Sequence, residues 1–154
     1  MANAITIKPA TTEDAQDWLK MRESLGPDWV IDHVERMVAE YFTHGTIDRL
    51  PHTVLIAWRG DARVGMAEVS LRQFAEGCET SPVGYLEGWF VDASCRGMGV
   101  GKALVEAGKD WARSQGCTEF ASDAEMDNLA SQAAHEALGF EPVCDIRCYR
   151  VSLG

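Results

Sequence analysis

The segment Cys95–Leu104, CRGMGVGKAL, sets Gly97, Gly99 and Gly101 within five residues, with Arg96 before them and an apolar helical pattern after. The run before it, GYLEGWFVD (84–92), has strand length and is mostly apolar, as expected of a strand at a sheet centre. After it, Val100, Leu104, Ala107 and Trp111 recur at helical spacing, and Gly116 supplies a stop. The first N–H groups of a helix have no internal partners and lie at the positive end of its dipole. Glycine lets that backbone approach an anion closely. The segment therefore reads either as a phosphate cradle or as a tight strand-to-helix turn with no ligand.

Spacing excludes two common cradles. A mononucleotide loop of the form GxxxxGK[ST], aligned on Gly101-Lys102, puts Arg96 at the first glycine and Ala103 at the metal-binding hydroxyl. A dinucleotide GxGxxG loop starting at Gly97 puts Lys102 at its third glycine, and Asp123 is a poor ribose-binding acid.

Working outward, CTEFASD (117–123) reads as a strand, so 85–123 is a strand–helix–strand crossover joining parallel neighbours. Upstream, ITIKPA (5–10) predicts a first strand. Thr12 opens a helix carrying Ala15, Trp18, Leu19 and Leu25, and GPDW (26–29) breaks it. Val30, Val34, Met37, Val38 and Tyr41 predict a second helix to about His44. Residues 52–71 form a hairpin signature about Gly60-Asp61, and 75–83 a loop. Downstream, Asp127 or Asn128 opens a helix with Ala130, Ala134, Ala137 and Leu138 on one face. Gly139 stops it, and 140–153 reads as two further strands. The expectation is one domain over 1–154: an α/β fold with a mixed central sheet flanked by helices, in the order β α α β β β α β α β β.

Twenty-four acidic and 14 basic side chains give a net charge of −10. That balance argues against nucleic acid and permits a cationic ligand. No apolar run is long enough to span a bilayer, and the N-terminal stretch shows no basic region followed by an apolar block. The expectation is a cytoplasmic protein with no membrane partner. Five cysteines without a CxxC pair read as free thiols, and four histidines without HxxxH or HExxH spacing predict no metal site.

Arg96-x-x-Gly99-x-Gly101 resembles the pyrophosphate loop of the GCN5-related N-acetyltransferases (GNAT). Val91 and Ala93 stand where that family has V-x-P, Asn128 lies seven residues before His135, and LGF (138–140) closes the helix. The element order is also similar. Within the family, SPVGYLEGWFVDASCRGMGVGKAL, GCTEFASD, SQAAHEALGFE and the late CYR look like the aminoglycoside 6′-N-acetyltransferases. That subgroup also has histidine in place of the family's tyrosine at 135. The likeness is strongest from residue 77 onward and weak over 26–60.

The resemblance implies acetyl-CoA as donor, a polycationic aminoglycoside as acceptor and direct transfer between them, the basis of antibiotic resistance. It assigns Val91, Arg96, Gly97, Met98, Gly99, Val100, Gly101, Lys102 and Asn128 to the donor. Arg96 either helps the phosphates or braces the loop. The strand at 85–92 should splay from 117–123 to admit the pantetheine arm as an extra strand. It also implies a homodimer with final strands exchanged or paired, which the terminal IRCYRVSL suits.

The amine must lose a proton to attack a thioester, so a carboxylate is required. Glu87 stands in an otherwise apolar strand, where an unpaired charge is costly, and Asp123 ends a strand at the ligand-binding edge of the sheet. Both are expected to hold substrate ammonium groups, and either could be the base. Alternatively, Glu87 pairs with a nearby arginine and Asp123 caps the next helix. Tyr149 is the candidate acid for the departing thiolate, with His135 the other choice. Trp29, Phe74, Glu79 and Asp145 complete the expected acceptor side, and Glu76 could extend its acidic lining. Cys95 lacks a neighbouring base and predicts no covalent intermediate. Competing readings are an acetyltransferase for a polyamine, peptide or other small amine, and a non-catalytic acyl-CoA sensor.

Overall fold

Ile5 and Ile7 alternate with polar neighbours, as a half-buried edge strand requires, and form β1 (Ile5–Pro9) in a computed structural model that describes residues 4–154. Residues 1–3, part of the stretch read for a leader, lie outside the described residues. A single helical turn, Thr12–Asp14, opens helix α1 (Ala15–Glu23). The turn is fastened from Thr11 rather than Thr12: the Thr11 N–H donates to Asp14 Oδ2 at 2.7 Å, and Arg63 Nε donates to Asp14 Oδ1 at 2.6 Å. The break at 26–29 is a short turn, Pro27–Trp29, before α2 (Val34–His44).

Four longer elements carry the sheet and its crossover. Strands β3 (Leu50–Arg59) and β4 (Ala62–Arg72) form the hairpin about Gly60-Asp61, preceded by a two-residue strand, β2 (Thr46–Ile47), which the sequence reading lacked. Next come β5 (Val83–Val91) and helix α3 (Val100–Ser114). Strand β6 (Phe120–Ser122) is shorter than the 117–123 run, and α4 (Leu129–Ala137) follows. The sheet order is β1-β3-β4-β5-β6, with β2 beside β3; every pair is antiparallel except β5 and β6.

Strand periodicity builds two cores from alternate residues of the same strands. On one face Val54, Ile56 and Met66 meet Trp18, Met21 and Met37 of α1 and α2. On the other Leu55, Ala57, Ala67, Val69 and Leu86 meet Val100, Leu104 and Val105 of α3. Each fully buried aliphatic side chain contributes roughly 1.5–3 kcal/mol, so the faces hold the helices firmly enough to fix the loops between them.

The two strands expected over 140–153 do not form. Phe140 packs against the α3-side core, but beyond it the chain carries no helix or strand, and Ile146, Tyr149, Val151 and Leu153 are 62–95% exposed. A strand needs a neighbour to receive its N–H and C=O groups. Among the described residues no strand of the same chain pairs with this segment.

Candidate active site

The glycine loop is a tight turn that leads from β5 into α3. Asp92 Oδ1 accepts from the Ser94 N–H at 2.9 Å and fixes a tight turn at Ala93–Cys95. Arg96 Nε donates to the Val91 carbonyl at 3.2 Å, so Arg96 braces the loop against the end of β5. Gly97 (φ 76°) and Gly99 (φ 81°) take left-handed conformations that disfavour a side chain. Gly99 is the N-cap of α3 and offers no side chain to satisfy the first-turn N–H groups, which are left to a ligand or solvent. Residues 96–99 and Lys102 are exposed while Val100 is buried, so the cradle opens outward from an anchored helix.

Beside the loop the sheet splays. Only Gly84, Tyr85 and Leu86 of β5 pair with β6, opposite Phe120, Ala121 and Ser122. From Glu87 to Val91 the β5 backbone runs on with no β6 partner among the described residues. The unpaired β5 edge runs toward the Gly97–Gly101 turn.

A β-bulge faces Glu87 into a cleft. Glu68 of β4 is opposite Gly88, but Val69 is opposite Leu86, so Glu87 is the extra residue. The bulge shifts the alternation: Leu86, Trp89 and Val91 face α3, while Phe90 faces α1 and α2. Glu87 lines a cleft of about 420 Å³ with Arg22, Asp28, Trp29, Asp48, His52, Glu68 and Arg72. Ser70 Oγ donates to Glu87 Oε1 at 2.6 Å, and Arg72 donates from Nε to Oε1 at 2.8 Å and from Nη2 to Oε2 at 2.7 Å. Burial pushes the Glu87 carboxyl up, but the bonds from Arg72 and Ser70 and the guanidinium charge outweigh it and hold it below the usual range. Glu87 is thus a fixed negative charge on the cleft wall, and its side chain is 19% exposed.

Asp123 is tied to the same constellation from β6. Tyr85 Oη donates to Asp123 Oδ2 at 2.6 Å, and the Arg72 guanidinium carbon lies 3.6 Å from the centroid of the Tyr85 ring. Burial, reinforced by the Asp123 carboxylate, raises the Tyr85 phenol well above its ordinary value, so it remains a hydrogen-bond donor. Asp123 itself is exposed. The chain Glu87–Arg72–Tyr85–Asp123 places one held carboxylate and one accessible carboxylate along the splay.

Of the remaining sequence candidates, Trp29 enters the cleft with Glu87. Asn128 caps α4, its Oδ1 accepting from the Ser131 N–H at 3.1 Å. His135 spends both ring nitrogens on bracing, Nδ1 at 2.7 Å from the Ser131 carbonyl and Nε2 at 2.8 Å from Ser122 Oγ. Phe74, Glu76 and Glu79 are exposed around the loop before β5, where the Glu79 N–H donates to Glu119. Tyr149 and Asp145 are exposed on the C-terminal segment, and Cys95 is buried in the α3-side core.

Arg72, Tyr85, Ser70, Glu68 and Arg22 were not singled out from the sequence. Glu68 carried a usable signal, since it interrupts the apolar run VGMAEVSL as Glu87 interrupts GYLEGWFV.

Residues 18–140 match the acetyltransferase (GNAT) family. The chain is 44% identical over 154 residues to aminoglycoside N(6')-acetyltransferase type 1 of Klebsiella aerogenes, covering 99% of this chain and 100% of that one. It is 39% identical to the protein of the same name from Stenotrophomonas maltophilia, covering 99% and 97%. Among solved structures it resembles AAC(6')-Iy in complex with the bisubstrate analog CoA-S-monomethyl-acetylneamine, with a TM-score of 0.86, 33% identity and coverage of 97% and 99%. It also resembles AAC(6')-Ih from Acinetobacter baumannii, with a TM-score of 0.83, 34% identity and coverage of 98% and 100%.

Proposed function

This chain belongs to the acetyltransferase (GNAT) family, and we propose that it transfers the acetyl group of acetyl-CoA to the 6′-amino group of an aminoglycoside. The observation that carries this reading is the Glu87 carboxylate, aimed by a bulge into a cleft at the point where β5 parts from β6. Full-length similarity to aminoglycoside N(6')-acetyltransferases supports the acceptor.

Acetyl-CoA suits the features of the chain. The N–H groups of residues 97–101 receive the diphosphate, with Lys102 adding charge and Arg96 holding the turn. The free edge of β5 from Glu87 to Val91 pairs with the pantetheine arm, and the Asn128 side-chain NH2 donates to it. This seats the thioester at the splay, beside Glu87 and Asp123.

The acceptor enters as a polycation. Glu87, held ionised by Arg72, pairs with one of its ammonium groups, and Trp29 walls the cleft. Asp123 is accessible and has one oxygen engaged by Tyr85, so it takes the proton that the attacking amine must lose, directly or through water. The new C–N bond forms as the C–S bond breaks, and the thiolate leaves to be protonated.

The same reading includes a homodimer. The exposed apolar side chains and unladdered backbone of 140–154 are satisfied by strand pairing with a second copy. Tyr149 and Asp145 lie on this segment, so their roles toward thiolate and acceptor belong to the dimer. Among the described residues no helix is long and apolar enough to cross a membrane, and we place the enzyme in the cytoplasm with its donor.

The test is thiol release from acetyl-CoA with kanamycin, tobramycin, spermine or a basic peptide as sole acceptor. Release with the aminoglycosides, and acetylation mapped to the 6′ nitrogen, is expected. Release only with spermine or peptide overturns the acceptor, and tight CoA binding with no release from any amine overturns the enzyme.

A further inference from the structure

The mechanism leaves unused a carboxylate at the centre of the sheet. Glu68 of β4 is 1% exposed, a position where an unpaired charge is costly. Its Oε1 accepts from Trp18 Nε1 at 2.8 Å and from Arg22 Nε at 2.8 Å. The Arg22 guanidinium then reaches past the pair. Nη1 donates to the Trp29 carbonyl at 2.8 Å, and Cζ lies 5.0 Å from the centroid of the Trp29 ring.

Trp29 in turn rests on Gly88, where an added Cβ would fall 2.4 Å from Trp29 Cη2. Gly88 is the register partner of Glu68 and the chain neighbour of Glu87. One line of contacts therefore runs from the sheet interior through a cation to an indole beside the cleft carboxylate.

Two features make this a positioning device. A buried ion pair is a poor source of net stability compared with apolar packing, whereas this guanidinium spends its second donor on a loop residue. The wall also lacks solid backing. Arg22 and Trp29 line a second cavity, of about 80 Å³, with Leu19, Val30, Ile31 and Val34. Directional bonds have to hold the indole where packing is incomplete.

We propose that Glu68 and Arg22 are positioning residues for the acceptor: Glu68 aims the Arg22 fork, and Arg22 fixes Trp29 over Gly88 as one wall of the cleft beside Glu87. This rests on reading the cleft as the acceptor site.

The test uses Arg22→Lys, which keeps a cation beside Glu68 and removes the fork, together with Trp29→Ala, which removes the wall, and the double variant. In Arg22→Lys the acceptor KM rises about tenfold, the loss of one charge-assisted hydrogen bond, while kcat and the acetyl-CoA KM stay within about twofold. The double variant is no worse than Trp29→Ala alone, because without the side chain at 29 Arg22 has no wall to position. An unchanged acceptor KM, or effects that multiply in the double variant, overturns the proposal. Acrylamide quenching of the Trp29 fluorescence, taken as the difference between chains with and without Trp29, needs no acceptor. It rises when Arg22 becomes Lys, and unchanged quenching overturns the positioning role. A wild-type protein that acetylates no aminoglycoside overturns the acceptor reading alone.

Discussion

Arg72 grips Glu87 with both sides of its guanidinium fork, Nε at 2.8 Å from Oε1 and Nη2 at 2.7 Å from Oε2. The grip is partly buried, with side-chain exposures of 34% for Arg72 and 19% for Glu87. A bidentate pair of this kind fixes direction as well as charge. The folded-state carboxyl of Glu87 is held below its usual range. The stability it contributes is therefore present above its unfolded pKa and is lost as pH falls through the folded value. Replacing Arg72 with Met removes the fork and its charge, leaving burial to raise the carboxyl. The acid limb of kcat/KM should move to higher pH in Arg72→Met, as read from pH–rate profiles with acetyl-CoA saturating. An acid limb that stays in place would show that Glu87 is not the group being titrated.

Glu87→Gln preserves shape and removes charge. Its kcat/KM for an aminoglycoside should fall by about 10²-fold, the range for removing one partner of a partly buried charge pair with a substrate ammonium group. The acetyl-CoA KM should change little, while the melting temperature should fall as Arg72 loses its counter-charge. An activity within twofold of wild type would remove Glu87 from the site.

Asp123→Asn and Tyr85→Phe separate the second carboxylate from its holder. If Asp123 accepts the amine proton, Asp123→Asn lowers kcat by about 10²-fold or more. Tyr85→Phe, which deletes only the O–H donated at 2.6 Å, costs about tenfold or less. Steady-state kinetics of both variants check the ranking, and a Tyr85→Phe loss as large as that of Asp123→Asn would put the proton chemistry on the phenol.

Gly99→Val tests the cradle. At φ 81° a β-branched residue is strained, and its side chain projects into open space where the diphosphate is to sit. The acetyl-CoA KM should rise at least about tenfold with acceptor KM unchanged, and calorimetric titration of CoA should show the same loss. Undiminished CoA affinity would place the diphosphate elsewhere.

If the protein is the dimer proposed above, removing residues 142–154 should leave a monomer in sedimentation velocity. Ile146, Tyr149, Val151 and Leu153, exposed on that segment in the single chain, are the side chains a second copy would cover. An unchanged sedimentation coefficient would locate the dimer contact on another face.

Most of the architecture was legible because it follows from local chemistry. The glycines at 97 and 99 read as a cradle because positive φ and a bare helix N-terminus are properties of a few adjacent residues. The hairpin at Gly60-Asp61 and the apolar β5 run were readable for the same reason. Glu87 stood out because a carboxylate in an apolar run is anomalous in any fold. The terminal strands at 140–153 were misjudged because β-propensity is local while a ladder needs a partner, and no strand of this chain supplies one among the described residues.

Most of the order of elements, the glycine turn and the anomalous carboxylate were thus written in runs of ten or so residues. The company that carboxylate keeps was not. Arg72 and Tyr85 come from β4 and β5 and Asp123 from just past the end of β6, and whether Glu87 faces them depends on one bulged residue, since a slip of one position reverses every side chain beyond it. Register is set by the sum of two packed cores rather than by any short stretch of chain. For that reason only the folded sheet decides that Glu87 is clamped by Arg72 and that Trp29 stands beside it over Gly88.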